Sequence, residues 1–308
     1  MDVIIKWSLI IGLIVLVLRF AIAFGRKVAS GRPISGVMIL TFILTGISAG
    51  MATYLIGSIK QTIDERNMID VREKAITDRL GLIREAEIVY QEVYGKYTSN
   101  WDSLINFIEK GQYPIIQRAE EIIPLSYGAD SIIVTIDTIG MISAFDRIFK
   151  ANYSENAVDS GVFIRYYVQP GEKAVKGTKA YAMLNRNGVE FDRNFNNNGT
   201  VTEVESINEG DRIVKGQTLI AFWEYKFDPK TNLAELPYVP GYDLDKNVKF
   251  DIFTSKIPMG AAQLLVDVIE VKNPKPFNPA RLEKNEAKNL KPLRFGSKTD
   301  ATTSGNWE

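Results

Sequence analysis

Two apolar stretches open the chain. Residues 3–24 (VIIKWSLIIGLIVLVLRFAIAF) carry charge only at Lys6 and Arg19, and residues 34–59 (ISGVMILTFILTGISAGMATYLIGSI) carry none. A helix needs ~20 apolar residues to cross a bilayer core, so the pattern predicts a two-helix transmembrane hairpin over residues 1–59. Lys6 and Arg19 fall near the ends of the first span, where long side chains reach the interface, and Trp7 suits the headgroup belt. The link between the spans holds Arg26, Lys27 and Arg32 and no acid. Short cationic loops stay in the cytoplasm, so an inner-membrane protein is expected, with its N-terminus and residues 60–308 facing the periplasm or extracytoplasmic space. Gly46 and Gly50 form a GxxxG pair, whose small residues let helices approach, either within the hairpin or in a homodimer.

After the second span polarity rises while helical periodicity continues. Ile69, Ile76, Leu80, Ile83, Ala86, Tyr90 and Val93 recur at steps of three, four and seven, which places them on one stripe of a helix reaching about Tyr94 and stopped by Gly95. Ser99 and Asn100 offer N-caps for a second, short helix ending at Gly111. The stripe is read as core against that second helix, in a stalk-and-turn region over 60–121. From Ile122 the period becomes two, with SIIVTIDTI, GVFIRYYV, GTVTEVESI, TLIAFWEY, VKFDIF and LLVDVIEV as strands of a mostly antiparallel β region over 122–271. Asp243, Asp245 and Asp251 alternate as one solvated strand face. Residues 272–308 form a Pro/charge-rich C-terminal tail, of which 272–292 (KNPKPFNPARLEKNEAKNLKP) read as a surface linker with one short helix and which ends in Trp307, docking on the domain itself or on a partner. The expected fold class is therefore an α+β membrane protein.

Composition narrows the chemistry. Lys+Arg and Asp+Glu both total 37, so no global charge steers the chain to nucleic acid. Residues 1–58 take five cations and one anion of these, leaving 32 cations against 36 anions for residues 59–308. There is no Cys, which removes disulfides and thiolate chemistry, and no His, which removes the commonest general base and metal ligand. No remaining spacing announces a catalytic constellation, and a non-enzyme is expected.

One motif is written twice. VQPGEKAVKGTKAYAML from Val168 aligns with INEGDRIVKGQTLIAF from Ile207 at an offset of 39, pairing Gly171 with Gly210, Glu172 with Asp211 and Gly177 with Gly216. In such a turn one glycine takes a positive φ, the acid accepts backbone N–H groups, and the second glycine lets the chain reverse into the next strand. Two copies around GTVTEV predict a folded-over sandwich of related halves across 160–225. This stretch resembles the barrel-sandwich module of biotinyl and lipoyl carriers and of membrane-fusion adaptors. That resemblance implies a cofactor lysine in the link between halves for a carrier, and packing contacts alone for an adaptor. The link, NRNGVEFDRNFNNN (185–198), has no lysine, so no cofactor arm is expected.

Residues 86–111 (AEIVYQEVYGKYTSNWDSLINFIEKG) resemble the helix-to-sheet region of pseudopilins, though the chain lacks the glutamate that pseudopilins carry early in the mature helix. They are similar also to a group of membrane-anchored proteins of Bacteroidota, which share strands like IVTIDTIGMISAFDRIF (133–149) and a tail like LKPLRFGSKTDATTSGNWE (290–308). Separately, DRNFNNNGTVTE places Asp192, Asn194, Asn196, Asn198, Thr200 and Glu203 at the ligand cadence of a calcium loop, although its sixth residue is Asn197 where glycine is expected. An Asn-rich hairpin turn explains the same letters. These readings converge on a structural or adaptor component of an envelope assembly, with other envelope proteins as partners and self-association through the stalk or the glycine pair as a further contact. The alternatives are a pseudopilin-like filament subunit and a periplasmic ligand-sensing domain.

Overall fold

The computed structural model describes residues 19, 21–31, 36–124, 130–241 and 248–308. The first apolar stretch lies almost entirely outside these residues, as do Asp243 and Asp245. The chain divides into two compact units, residues 1–71 and 72–308.

In the first unit, residues 21–29 form a helix, α1, which ends in a turn where Gly31 takes φ +63°. The helix α2 runs Gly36–Tyr94. It is the one described helix long and apolar enough to cross a membrane, and no part of its apolar window is covered by protein.

In the second unit α2 is amphipathic. Ile76, Leu80, Ile83 and Ala86 are buried, with Tyr90 and Val93 packed beside them, as the stripe predicts. Gly95 ends the helix at φ +70°, its N–H donating to the Gln91 carbonyl at 2.8 Å. The short helix α3, Trp101–Lys110, is capped by the Asn100 side chain, which accepts the Ser103 N–H at 3.0 Å. It stops at Gly111, where a Cβ would sit 2.4 Å from the Phe107 ring and carbonyl. Leu104, Phe107 and Ile108 of α3 close onto α2, each such burial contributing about 1.5–3 kcal/mol.

The β region begins ten residues earlier than the period-two pattern indicates. Strand β1, Gln112–Pro124, pairs antiparallel with β2, Asp130–Ser143, as a two-stranded ribbon. The isoleucine pairs of β1 are separated by the polar run Gln117–Glu121, which breaks the alternation that sequence reading needs. Ser143 caps the six-residue helix α4, Ala144–Phe149, by accepting the Asp146 N–H.

Eight short strands follow: β3 Lys150–Asn156, β4 Gly161–Tyr166, β5 Lys173–Ala174, β6 Lys179–Leu184, β7 Glu190–Asn194, β8 Gly199–Val204, β9 Arg212–Ile213 and β10 Thr218–Tyr225. They form two four-stranded antiparallel sheets, ordered β3-β10-β8-β5 and β7-β6-β4-β9, around one core. A last sheet, β11 Asp251–Met259, β12 Leu264–Lys272 and β13 Arg294–Gly296, returns to the helices.

The C-terminal tail packs back onto the domain, and Trp307 docks on the domain itself. Leu293 and Phe295 are buried among residues of α2, α3, α4 and β12, and Trp307 packs on the same core with the Arg84 guanidinium 5.8 Å over its ring. The Asn306 side chain, 3% exposed, donates to the Lys288, Lys291 and Pro292 carbonyls and accepts the Arg294 N–H. Arg281 forks onto the Glu73 carboxylate at 2.7 and 3.1 Å. Proline and charge here shape a strap that turns Leu293, Phe295 and Trp307 inward while Leu282 and Leu290 stay exposed, a placement that local composition does not encode.

Candidate interaction module

The eight-stranded sandwich has an internal twofold that the sequence motif shows only in part. Counted cyclically among these eight strands, a shift of four places turns the order β3-β10-β8-β5 into β7-β6-β4-β9. The register agrees: Val162 faces Leu184 and Phe163 faces Met183, as Thr200 faces Trp223 and Val201 faces Phe222. Upstream of the turns the halves are offset by 38 (Phe163 to Val201) and downstream by 39 (Met183 to Phe222), so a single inserted residue separates them.

The core obeys the same operation. Its twelve buried residues form six matched pairs: Ala157 with Phe195, Phe163 with Val201, Ala174 with Ile213, Ala180 with Leu219, Tyr181 with Ile220 and Met183 with Phe222. Where the first half supplies alanine the second supplies Phe, Ile or Leu, so volume is shared unequally while the total fills the sandwich. Glu155 and Arg193 are also a matched pair, at offset 38, and they touch, with Arg193 Nε 3.6 Å from Glu155 Oε2. A residue meets its own equivalent only near the twofold axis, which places this pair there. Glu155 is 2% exposed and accepts the Asn196 N–H at 2.9 Å.

Both turns are built alike. Gly171 and Gly210 take φ +91° and +93°, and Gly177 and Gly216 both take +87°. The Gly171 N–H donates to the Val201 carbonyl and the Gly210 N–H to that of Phe163, so each turn is tied to the other half. Glu172 accepts the Gln169 N–H and Asp211 the Asn208 N–H, both at 2.9 Å. A Cβ at Gly171 or Gly210 meets nothing within 4 Å, so the left-handed backbone alone opposes substitution. Gly171→Ala and Gly210→Ala are each expected to destabilise the protein by about 1–2 kcal/mol, measured by urea unfolding of the full chain in detergent; unchanged midpoints would refute the turn assignment.

A second glycine pair escaped the sequence reading. A Cβ on Gly161 would sit 1.9 Å from the Leu184 carbonyl oxygen, and one on Gly199 would sit 2.7 Å from that of Trp223. These positions are equivalent at offset 38, and a glycine opening both GVFI and GTVT was the available signal.

The module is inserted between α4 and the residues after Tyr225, with both ends at one place. Lys150 and Tyr225 are strand partners, and the Lys226 N–H donates to the Phe149 carbonyl at 2.7 Å. Phe149 and Phe227 meet edge to face in the helical core. The twofold maps this root onto the β6–β7 turn, where Asn185 accepts the Asn187 and Val189 N–H groups through its side chain. No lysine lies in that turn.

The sequence-predicted calcium ligands fall on two sheets. Asp192 lies on β7 and Glu203 on β8, strands of different sheets. Asp192 accepts the Tyr167 hydroxyl at 2.7 Å and pairs with Lys179; these hydrogen bonds, from Lys179 first and Tyr167 second, hold its carboxyl below the usual carboxylate range. Asn198 Oδ1 accepts the Lys176 N–H, Asn196 donates to Glu155, and Asn194 is exposed at the end of β7. A cation at Asp192 would have to displace the Lys179 ammonium. Gly46 and Gly50 lie on α2 in the first unit, and a Cβ at either meets nothing within 4 Å among the described residues.

Compared with known proteins, the chain matches no family model and no curated protein.

Proposed function

We propose that the chain is a membrane-anchored structural or adaptor component of a cell-envelope assembly, with the duplicated-turn sandwich as its contact module. The observation that carries this reading is the module's build: two equivalent halves locked by turns, hung from the helical core by adjoining strand ends. Such a root fixes the module's position while leaving its sheet faces and both V-K-G turns at the surface, including exposed Val175 and Val214. The lysine-free link favours contacts over a covalently carried group.

The apolar, uncovered part of α2 supports anchorage. The cationic link at Arg26, Lys27 and Arg32 supports a second span before it, with residues 60–308 outside the cytoplasm. Protease added to intact spheroplasts is then expected to digest the epitope-tagged C-terminal region without lysis. Full protection until lysis would overturn the orientation. Affinity purification from gently solubilised membranes tests the adaptor role: a defined set of envelope proteins should accompany the wild-type chain and be lost when residues 150–226 are replaced by a short turn. A chain recovered alone in both cases would end the adaptor reading.

A further inference from the structure

The β1–β2 ribbon is an unfinished sheet. Among the described residues no third strand borders it, so the outer edge of β1 is open to a further strand. Ribbons of two strands are marginal in water, and an open edge invites another strand. Exposed apolar side chains sharpen the case: Ile116 is 56% exposed, Ile136 61%, Ile139 63% and Met141 62%. The one irregularity in the ribbon puts its extra residue, Ile139, on β2, because Ile115 and Ile116 of β1 pair with Gly140 and Thr138. β1 itself therefore stays regular, as a template edge must.

The sequence of β1 says which strand fits there. Residues 114–124 read P-I-I-Q-R-A-E-E-I-I-P, a near palindrome centred on Ala119. An identical strand running antiparallel about Ala119 brings together positions 114 and 124 (Pro with Pro), 115 and 123 (Ile with Ile) and 116 and 122 (Ile with Ile). It also sets 117 opposite 121 (Gln with Glu) and 118 opposite 120 (Arg with Glu). Residues directly opposite in an antiparallel pair lie on the same face. The register thus sets cation against anion twice and isoleucine against isoleucine four times, with no like charges opposed. The prolines, which lack a backbone donor, close the window at both ends. β2 holds no cation, so no register of its self-pairing sets opposite charges together, and about its midpoint Asp137 falls opposite Ile136.

We infer that two copies of this chain join through β1, in an antiparallel twofold contact about Ala119 that makes a four-stranded sheet, β2-β1-β1-β2. The contact is isologous and so closes at a dimer rather than growing into a filament. It needs neither the transmembrane glycines nor the sandwich, and it holds whichever side of the membrane the second unit occupies.

The absence of cysteine in the chain makes a direct test available. In an antiparallel pair, directly opposite Cα atoms lie ~4.5–5.5 Å apart, within the ~4.4–6.8 Å that a disulfide spans. Ala119→Cys in the full-length protein, in isolated membranes under mild oxidation, should give a reducible dimer. Thr135→Cys, on the β2 residue that faces Ala119, should not, because two copies of that position lie three strand spacings apart, ~14 Å. In the A119C background, Arg118→Glu should cut the dimer yield roughly fivefold by opposing like charges, and adding Glu120→Arg should restore it. A monomer at A119C, equal crosslinking at T135C, or no rescue by the double charge exchange would each overturn the contact.

Discussion

Phe295→Ala is expected to destabilise the second unit by about 3–5 kcal/mol, while Leu290→Ala, five residues earlier in the same strap, should change stability by less than about 0.5 kcal/mol. Phe295 is fully buried, sits opposite Val271 in the β12–β13 ladder, and bridges on its other side to Gly305. Truncating it removes a ring from the junction of helices and sheet and leaves a cavity that this strap cannot collapse into, because Asn306 fixes the strap's return by four hydrogen bonds. Leu290 is 43% exposed at the end of a short 3-10 turn and has little to lose. Urea unfolding of the full chain in detergent, followed by tryptophan fluorescence, checks both. Equal midpoints for the two variants would mean that Phe295 is not seated in the core and that the tail lies on the surface.

How far the fold was legible follows from where each signal resides. The amphipathic stripe, the Gly95 stop, the Asn100 cap and the Gly111 end are local codes, each readable within about one helical turn, and the structure follows them. The V-K-G turns were legible because the same local requirement, a positive φ followed by a reversal, is written twice. The strands flanking them were less so. β3, KANYSEN, carries its symmetry with β7 in the pair Glu155–Arg193 and in Ala157–Phe195 just past the two strands, where chemistry and volume are complementary instead of alike, and likeness is what a repeat search sees. The start of β1 was hidden for a related reason: its polar centre breaks the period of two, yet that centre is what makes the strand fit a second copy of itself. Asp192 and Glu203 fit a calcium cadence along the chain, but the chain crosses from one sheet to the other between them, and linear spacing is blind to that crossing. The strap's burial is the most non-local fact of all, since Arg281 meets Glu73 across a sequence separation of 208 and Phe295 pairs with Val271 of β12.

Wild-type stability should fall between pH 4.5 and 8 by on the order of 4 kcal/mol through one residue, Glu87, and Glu87→Gln should abolish that part of the slope. Glu87 lies on the apolar stripe of α2, one turn from Ile83 and from Tyr90, well beyond the apolar segment at residues 34–59. Its side chain is completely buried, Oε2 accepts the Thr98 N–H at 3.0 Å, and Oε1 has no partner. Burial disfavours the carboxylate and outweighs that single hydrogen bond, pushing the group from its ordinary 4.5 up to about 8. At neutral pH the folded chain therefore holds Glu87 protonated, whereas an unfolded chain holds it ionised. The folded state binds the extra proton, so this contribution is fully present below about pH 4.5, shrinks by about 1.4 kcal/mol per unit as pH rises, and is gone above about 8. Glutamine keeps the acceptor for Thr98 and cannot ionise, although its amide inherits the unpartnered position. The variant should thus match or slightly trail the wild type at pH 5 and exceed it at pH 8, and taking the difference between the two removes every other titrating group from the comparison. Urea midpoints for both proteins across that range decide the matter: parallel profiles would show that Glu87 is solvated or paired in solution, and that the helical core is wetter at this point than its packing implies.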